Sequence, residues 1–434
     1  MRNYNALRYL KKTLSCCIDE LDSVRSLFVK NPETDFTRNR AISFPDTFWL
    51  LLGLQAKSMS NEILDFCDHS GKIPTSSAFI QQRHKVLTDA WHFLFHSFED
   101  ACSTFEKNTF FGFRLFGCDG STSNICRNPL DEETFVHDGV KGYNTLHINA
   151  LYDLLNHTYH DVIIQGVKKK DERSAFISMI ERYQGPSAIF IADRGYESFN
   201  TFAHAIHAEQ KFLIRLKDIS SNGILARYDL PDEEFDINID TMLTRRRTKE
   251  CLEHPEMYSI LYNNAVFDFI DEENTYYKMS FRVVRFKTAG GYACVATNLS
   301  DKTFTTAMIK QLYKLRWNEE TSFRELKYTI GLVNYHFRTR EFILQEIYAR
   351  LILYNFCELV VLQVEVKPGS KAELSYRINF ATTVNICKEY LKHGGDEDEK
   401  MRLIQKYLTP IRPDRKYPLN IRPKKNRDFM YRIA

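Results

Sequence analysis

Between residues 110 and 217 the chain alternates apolar runs of strand length with segments of helical period. "FGFRLFGCDGST" is an aromatic and aliphatic run that reads as a strand ending in Asp119. "TLHINALYDLL" and "YHDVIIQG" read as two more strands, and "DERSAFISMIERYQG" as a helix. "SAIFIADRGY" is a buried strand that closes at Asp193; "SFNTFAHAIHAEQ" is the helix after it, and "KFLIRLK" returns as a strand. That order describes an α/β fold, a mixed sheet with flanking helices.

The texture differs on either side of this block. Residues 1–105 are helical in pattern. Within them, "SNEILDFCDHSGKIPTSSAFIQQRHKVLTDAWHFLF" reads as a helix, a Gly-Pro break and a second helix. Gly71 is the stop and Ser76 or Ser77 the N-cap. A helix–turn–helix docking on DNA would put Gln81, Gln82, Arg83 and Lys85 near the start of its second helix; an ordinary helical bundle fits the same residues. Residues 218–300 hold short alternating runs, "MYSILY", "AVFDFI", "KMSFRVVRF" and "YACVAT", and read as a β-rich insertion. Helices resume near 303, and "REFILQEIYARLILYNFCELVV" is apolar nearly all round, which predicts burial. The expected division is therefore 1–105 helical, 106–217 first part of the core, 218–300 insertion, 301–365 second part of the core, and 366–434 helical with a basic tail. "HGGDEDEK" is expected to be an acidic loop before the final helix.

Composition excludes several classes. Of 434 residues, 44% are hydrophobic and 26% charged, the balance of a globular protein with a sizeable core. No run of about 18 apolar residues predicts a membrane span. The ten cysteines include no C-x-x-C pair, so reduced thiols in a cytoplasmic protein are expected rather than a zinc site. The net charge of +3 is uninformative, but its distribution is not. Residues 411–434 hold eight Lys/Arg against two Asp, and "KKKDER" (168–173) and "RRR" (245–247) are further basic runs. Such patches suit a polyanion, although basic runs are also common on solvated surface.

The chemistry candidates are acidic. Asp119 and Asp193 each end an apolar strand and are followed by Gly within two residues. The carboxyl end of α/β strands is where ligands gather, and oxygen donors there suit a hard cation. An Asp after a strand is also a frequent turn residue. A third group comes from "YKLRWNEETSFRELKY" (313–328). At about 100° per residue, Tyr313, Arg316, Glu320 and Lys327 fall within roughly 60° of one another, with Arg324 beside them. Leu312, Leu315, Phe323, Leu326, Ile330 and Val333 fill the adjoining apolar arc, and Glu319 falls inside that arc. An Arg316–Glu320 i,i+4 pair accounts for two members of the row. A site built from three carboxylates and neighbouring phosphate-gripping cations accounts for the whole of it. Two Mg²⁺ ions about 4 Å apart would neutralise the three acids and act on a phosphodiester, while Arg316 would serve as a fork and Lys327 as a point charge on phosphate.

The spacing Y-x2-R-x3-E-x6-K at Tyr313, Arg316, Glu320 and Lys327 resembles a signature of bacterial insertion-sequence DDE transposases. "CDGST" and "ADRGY" resemble the flanks of that family's two aspartates. The resemblance spans about 110–340 and implies a ribonuclease-H-like catalytic core interrupted by the 218–300 insertion. The N-terminal helices would then bind terminal repeats. It further implies Mg²⁺-dependent cut-and-paste transposition through a DNA hairpin, with Mn²⁺ able to substitute, on double-stranded terminal inverted repeats and target DNA. A homodimer in a paired-end complex, associated with a bacterial nucleoid, would be the working form. Tyr292 in "GGYACVAT" stands near the position of a base-stacking aromatic, where the family has tryptophan. Glu319 stands where it has an apolar residue and competes with Glu320 for the metal role. A metal-dependent nuclease on the same core, or a DNA-binding descendant without chemistry, are the alternatives.

Overall fold

The computed structural model describes residues 6–55, 57–105, 107–288, 290–366, 375–411 and 430–431. The strongly basic 411–434 tail thus lies almost wholly outside the described residues.

Helices α1 (Ala6–Ser23), α2 (Phe44–Gly53), α3 (Met59–Phe66), α4 (Ser76–Lys85) and α5 (Thr88–Ala101) come first. The core follows as β1 (Arg114–Ile125), β2 (Phe135–Val136), β3 (Tyr143–Asp153), β4 (Thr158–Gly166), α6 (Glu172–Glu181), β5 (Ala188–Ala192), α7 (Phe199–His207) and β6 (Lys211–Leu216). Next are β7 (Phe235–Thr244), α8 (Lys249–Glu253), β8 (Tyr258–Ile260), β9 (Tyr276–Thr288) and β10 (Gly291–Thr297). The chain then runs through α9 (Thr306–Leu315), α10 (Trp317–Glu325), α11 (Arg340–Leu362), α12 (Phe380–His393) and α13 (Glu397–Lys406).

Among the described residues the main sheet has ten strands in the order β2-β3-β1-β5-β6-β10-β9-β7-β8, with β4 paired to β3. β1, β5 and β6 run parallel at its centre, and β3 and β10 flank them antiparallel. The stretch from 218 to 300 therefore does not form a sheet of its own. β10 pairs with β6 through Leu213↔Thr297 to Leu216↔Cys294, so the β-rich stretch prolongs the core sheet.

Alternation sorts the strand residues onto two faces. Phe116, Cys118, Phe190, Ala192 and Ile214 pack with Phe176, Met179 and Phe202 of α6 and α7. Leu115, Ile189, Ile191 and Leu213 face the other way, into a core shared with α9, α10, α11 and the N-terminal helices. α11 is buried along most of its length, as its all-round apolar pattern predicts. Two of its buried polar side chains reach across to the N-terminal helices. Gln345 accepts from Arg83 and donates to the Val86 carbonyl, and the Arg350 guanidinium donates to the Leu54 carbonyl.

Four local expectations are corrected. The N-cap of α4 is Thr75, whose hydroxyl accepts from the Ala78 N–H at 3.1 Å, and not Ser76 or Ser77. α3 stops before Gly71, with Asp68 and His69 already in the left-handed region. The acidic run at 396–399 is not a loop; Asp396 caps α13 and the remaining acids fill its first turn, where the helix dipole favours them. Arg83 does not face solvent. Its buried guanidinium lies over the rings of Phe337 and Phe342 at 4.1 and 4.6 Å and donates to the Phe342 carbonyl and Gln345. A side chain enclosed in this way is not available to DNA. Gln82 is half-buried, with its carbonyl oxygen enclosed.

Candidate active site

Asp119 does not close its strand. β1 continues to Ile125, paired with β3 through Asp119↔Ala150 and beyond. What ends near Asp119 is the parallel pairing on its other side, whose last partners are Cys118↔Ala192. The next residues are Asp119 and Asp193, so register brings the two acids side by side where β5 stops and β1 runs on. Adjacent strands lie about 4.8 Å apart. Asp119 and Asp193 also share the parity of Leu115, Ile189 and Ile191, which puts them on the face covered by α10. Asp193 is half-buried and accepts from the Gly195 N–H at 2.7 Å, capping the short turn Arg194–Tyr196. The turn-residue reading of this Asp is thus met as well.

The helical row is not one uniform α-helix. α9 ends at Leu315, α10 begins at Trp317, and Leu326–Ile330 forms a π-helical turn. Lys327 lies in that turn, so the 3.6-residue wheel does not carry as far as its position. π turns often mark functional segments of a helix. Up to Phe323 the wheel holds: Leu312, Tyr313, Arg316, Glu319, Ser322 and Phe323 are buried, while Glu320 and Arg324 are exposed.

Arg316 and Glu320 are paired, Nη2 to Oε1 at 2.9 Å, with the arginine buried and the glutamate side chain 39% exposed. Tyr313 is buried beside Arg316, whose guanidinium stands 5.9 Å from its ring centre, and its hydroxyl has no partner among the described residues. Glu319 is fully buried and packs against Gly117 of β1. A Cβ at Gly117 would stand 2.6 Å from Glu319 Oε2, so only glycine admits this carboxyl. Burial and then the Asp119 charge raise the Glu319 carboxyl well above its usual range.

Asp119 is pushed up to about 6, mainly by burial; the charges of Asp193 and Glu320 add to this, while the Gly120 N–H at 2.8 Å and Arg316 oppose it. Asp119 therefore senses both other acids. Among the described residues, however, no three His, Cys, Asp or Glu side chains converge closely enough to hold a metal ion. Glu320 is engaged by Arg316 instead. The donor set is all oxygen, which suits Mg²⁺ or Mn²⁺, and the repulsion borne by Asp119 is of the kind a cation relieves.

Two further residues at this edge have no sequence motif. His147 on β3 is buried, and its Nε2 lies 2.9 Å from Glu172 Oε1 at the start of α6. Both approach Gly120, where a Cβ would stand 2.4 Å from His147 Nε2. A polar residue inside the apolar alternation of "TLHINAL" was the only signal. Tyr292 lies on β10, 36% exposed, with the Arg285 guanidinium 3.9 Å from its ring centre, so one face of the ring is already covered.

A mixed sheet that sets Asp119 beside Asp193 where its central parallel pairing ends puts oxygen donors where α/β folds gather ligands. The family model described as "Transposase DDE domain" matches residues 113–356 and takes in all three acids. It covers more than half of the chain, and the chain belongs to that family. Among curated proteins, none matches it in sequence. Among solved structures, the chain is similar to a cryo-EM structure of the piggyBac transposase synaptic complex with hairpin DNA. The likeness has 10% identity and a TM-score of 0.47, over 90% of this chain and 81% of the other. Among the described residues no helix is long and apolar enough to cross a membrane.

Proposed function

We propose that this chain is a DNA transposase whose reacting phosphodiester is bound at Asp119, Asp193 and Glu320. The observation that carries the proposal is the register that sets Asp119 of β1 beside Asp193 at the end of β5, on the face covered by α10 with Glu320, inside the span matched by the family model. Asp119 and Asp193 would hold one divalent cation, and Asp119 with Glu320 a second. Mg²⁺ bound there would supply Lewis-acid stabilisation of the phosphoryl oxygens and lower the pKa of a bound water. The chain's own residues orient the DNA. Arg316 would exchange Glu320 for a phosphate, releasing that carboxylate toward the cation. Lys327 and Arg324 would meet the backbone further along, and the unpartnered Tyr313 hydroxyl would donate to a phosphate oxygen.

On this reading the enzyme cuts its element's ends, passes through a hairpin and joins the freed 3′-OH to target DNA as a homodimer on paired ends. The test is incubation with Mg²⁺ and DNA bearing the inverted repeats that flank the coding region. Hairpins and strand-transfer products support the proposal; nicks alone favour a nuclease. Binding without any cleavage by wild-type protein would mark a DNA-binding descendant without chemistry.

A further inference from the structure

Immediately beyond Asp193 lies a cavity of about 550 Å³ between the core and the β-rich extension. That volume is within the range of small-molecule and nucleotide sites. Arg173, Arg194, Lys217 and Arg227 line it, and the exposed side chains of Tyr262 and Val266 form part of its wall. Among the described residues the one carboxylate in the lining is Glu197, and each of its oxygens is engaged by a backbone N–H. Its oxygens accept from the backbone N–H groups of Lys217 and Ile224 at 2.7 and 2.6 Å. Gly223 makes this possible, because a Cβ there would stand 2.6 Å from Glu197 Oε1. The bonds to Glu197 thus come from the backbone and not from the four cationic side chains. Arg173 donates to the Gly195 carbonyl and Lys217 to the Asn222 carbonyl, and Arg227 lies 5.3 Å from the Phe199 ring centre. The loop carrying Tyr262 and Val266 is itself held in place, since Arg245 donates to the carbonyls of Tyr262 and Ala265.

A cavity with four cations against one carboxylate, and an exposed aromatic ring, is built for an anion attached to a stackable group. We propose that it is a nucleotide-binding subsite. It would take the phosphate of one unpaired DNA nucleotide on Arg173, Arg194 and Arg227, and the base of that nucleotide against Tyr262. This rests on the transposase reading above for its substrate, but it concerns a strand contact separate from the three carboxylates.

The experiment is fluorescence anisotropy of the full chain with a labelled single-stranded 20-mer across a salt series, beside Mg²⁺-dependent cleavage of repeat-bearing duplex. Replacing both Arg194 and Arg227 by Ala should release the one phosphate held there. Counterion release then predicts binding about fivefold weaker near 0.1 M salt and a log–log salt slope shallower by about 0.7. The charge-keeping double change Arg194→Lys and Arg227→Lys should restore the slope, which a folding defect would not do. Tyr262→Ala should weaken binding by about tenfold without altering the slope, and Tyr262→Phe should restore it. If deoxynucleoside monophosphate competes as well as the 20-mer per phosphate, the cavity serves free nucleotides and the strand assignment is overturned. An unchanged slope in the alanine double variant, in protein that still cleaves repeat DNA, overturns the subsite alone. Wild-type protein that neither binds nor cleaves DNA overturns the transposase reading and this subsite together.

Discussion

Replacing Arg83 by Ala distinguishes a buried strut from a DNA-reading residue. The wild-type guanidinium is fully buried, donates to Gln345 Oε1 at 2.7 Å and to the Phe342 carbonyl, and lies against two aromatic rings. Truncation removes two hydrogen bonds from a charged donor at about 1.5–3 kcal/mol each, orphaning the Gln345 oxygen while the Phe342 carbonyl keeps its bond within α11, and removes ring contacts of about 1–2 kcal/mol. Release of a buried charge offsets part of this, since burial lowers the arginine to about 9. A net destabilisation of about 3–5 kcal/mol follows, in the range seen when one partner of a buried charged network is removed. Urea denaturation monitored by near-UV circular dichroism reads it as a lower midpoint at unchanged slope. Arg83→Met, which keeps the stem over Phe337, should lose less. DNA affinity of the folded fraction should be unchanged. If Arg83→Ala unfolds at the wild-type midpoint and instead loses DNA affinity with a shallower salt slope, the helix 76–85 lies on DNA and the burial argument is wrong.

Other outcomes follow from the same geometry. Asp119→Ala, Asp193→Ala and Glu320→Ala should each abolish cleavage while leaving binding of repeat DNA largely intact; cutting retained by Glu320→Ala would move the third ligand to Glu319. Glu319→Met replaces a buried carboxyl without acceptor partners by an apolar chain of similar length, and should raise stability by about 1–2 kcal/mol in a denaturant titration; a stable variant that no longer cleaves would give Glu319 a chemical role. Burial pushes Glu346 up, but the His336 hydrogen bond and the Arg350 and Arg83 charges outweigh it and hold the acid at about 2. Its folded value lies below its unfolded one, so this contribution is full above about pH 4.5 and is lost as the pH falls toward 2. Glu346→Gln should flatten the loss of melting temperature over that window, and an unaltered acid limb would contradict the assignment. Arg316→Ala and Lys327→Ala should each reduce the magnitude of the salt slope for duplex binding by about 0.9, read by anisotropy.

The order of strands and helices from 110 to 217 was legible because each segment carries its own period and its own turn residues. The burial of α11 followed from apolarity all round, and the inward side of α10, Glu319 included, followed from the wheel. These are local properties, fixed within a dozen residues. Other features depended on partners distant in sequence. Nothing near Asp119 says that β1 continues past it, because the continuation is stabilised by β3 and not by β5. The β-rich stretch reads as a separate unit, since its own alternation is complete, yet an edge strand pairs with whichever neighbour offers free backbone groups, and β6 does so. Arg83 looks like a surface cation until α11 supplies Gln345 from 262 residues away. The basic cavity beside Asp193 is assembled from four separate segments. The sequence by itself thus determined the periods, the strand-terminal place of Asp193 and the spacing of Tyr313, Arg316 and Glu320, because backbone geometry reads those locally. Register, burial and the neighbours of each charge were decided only by tertiary structure, because they are set by which surfaces meet.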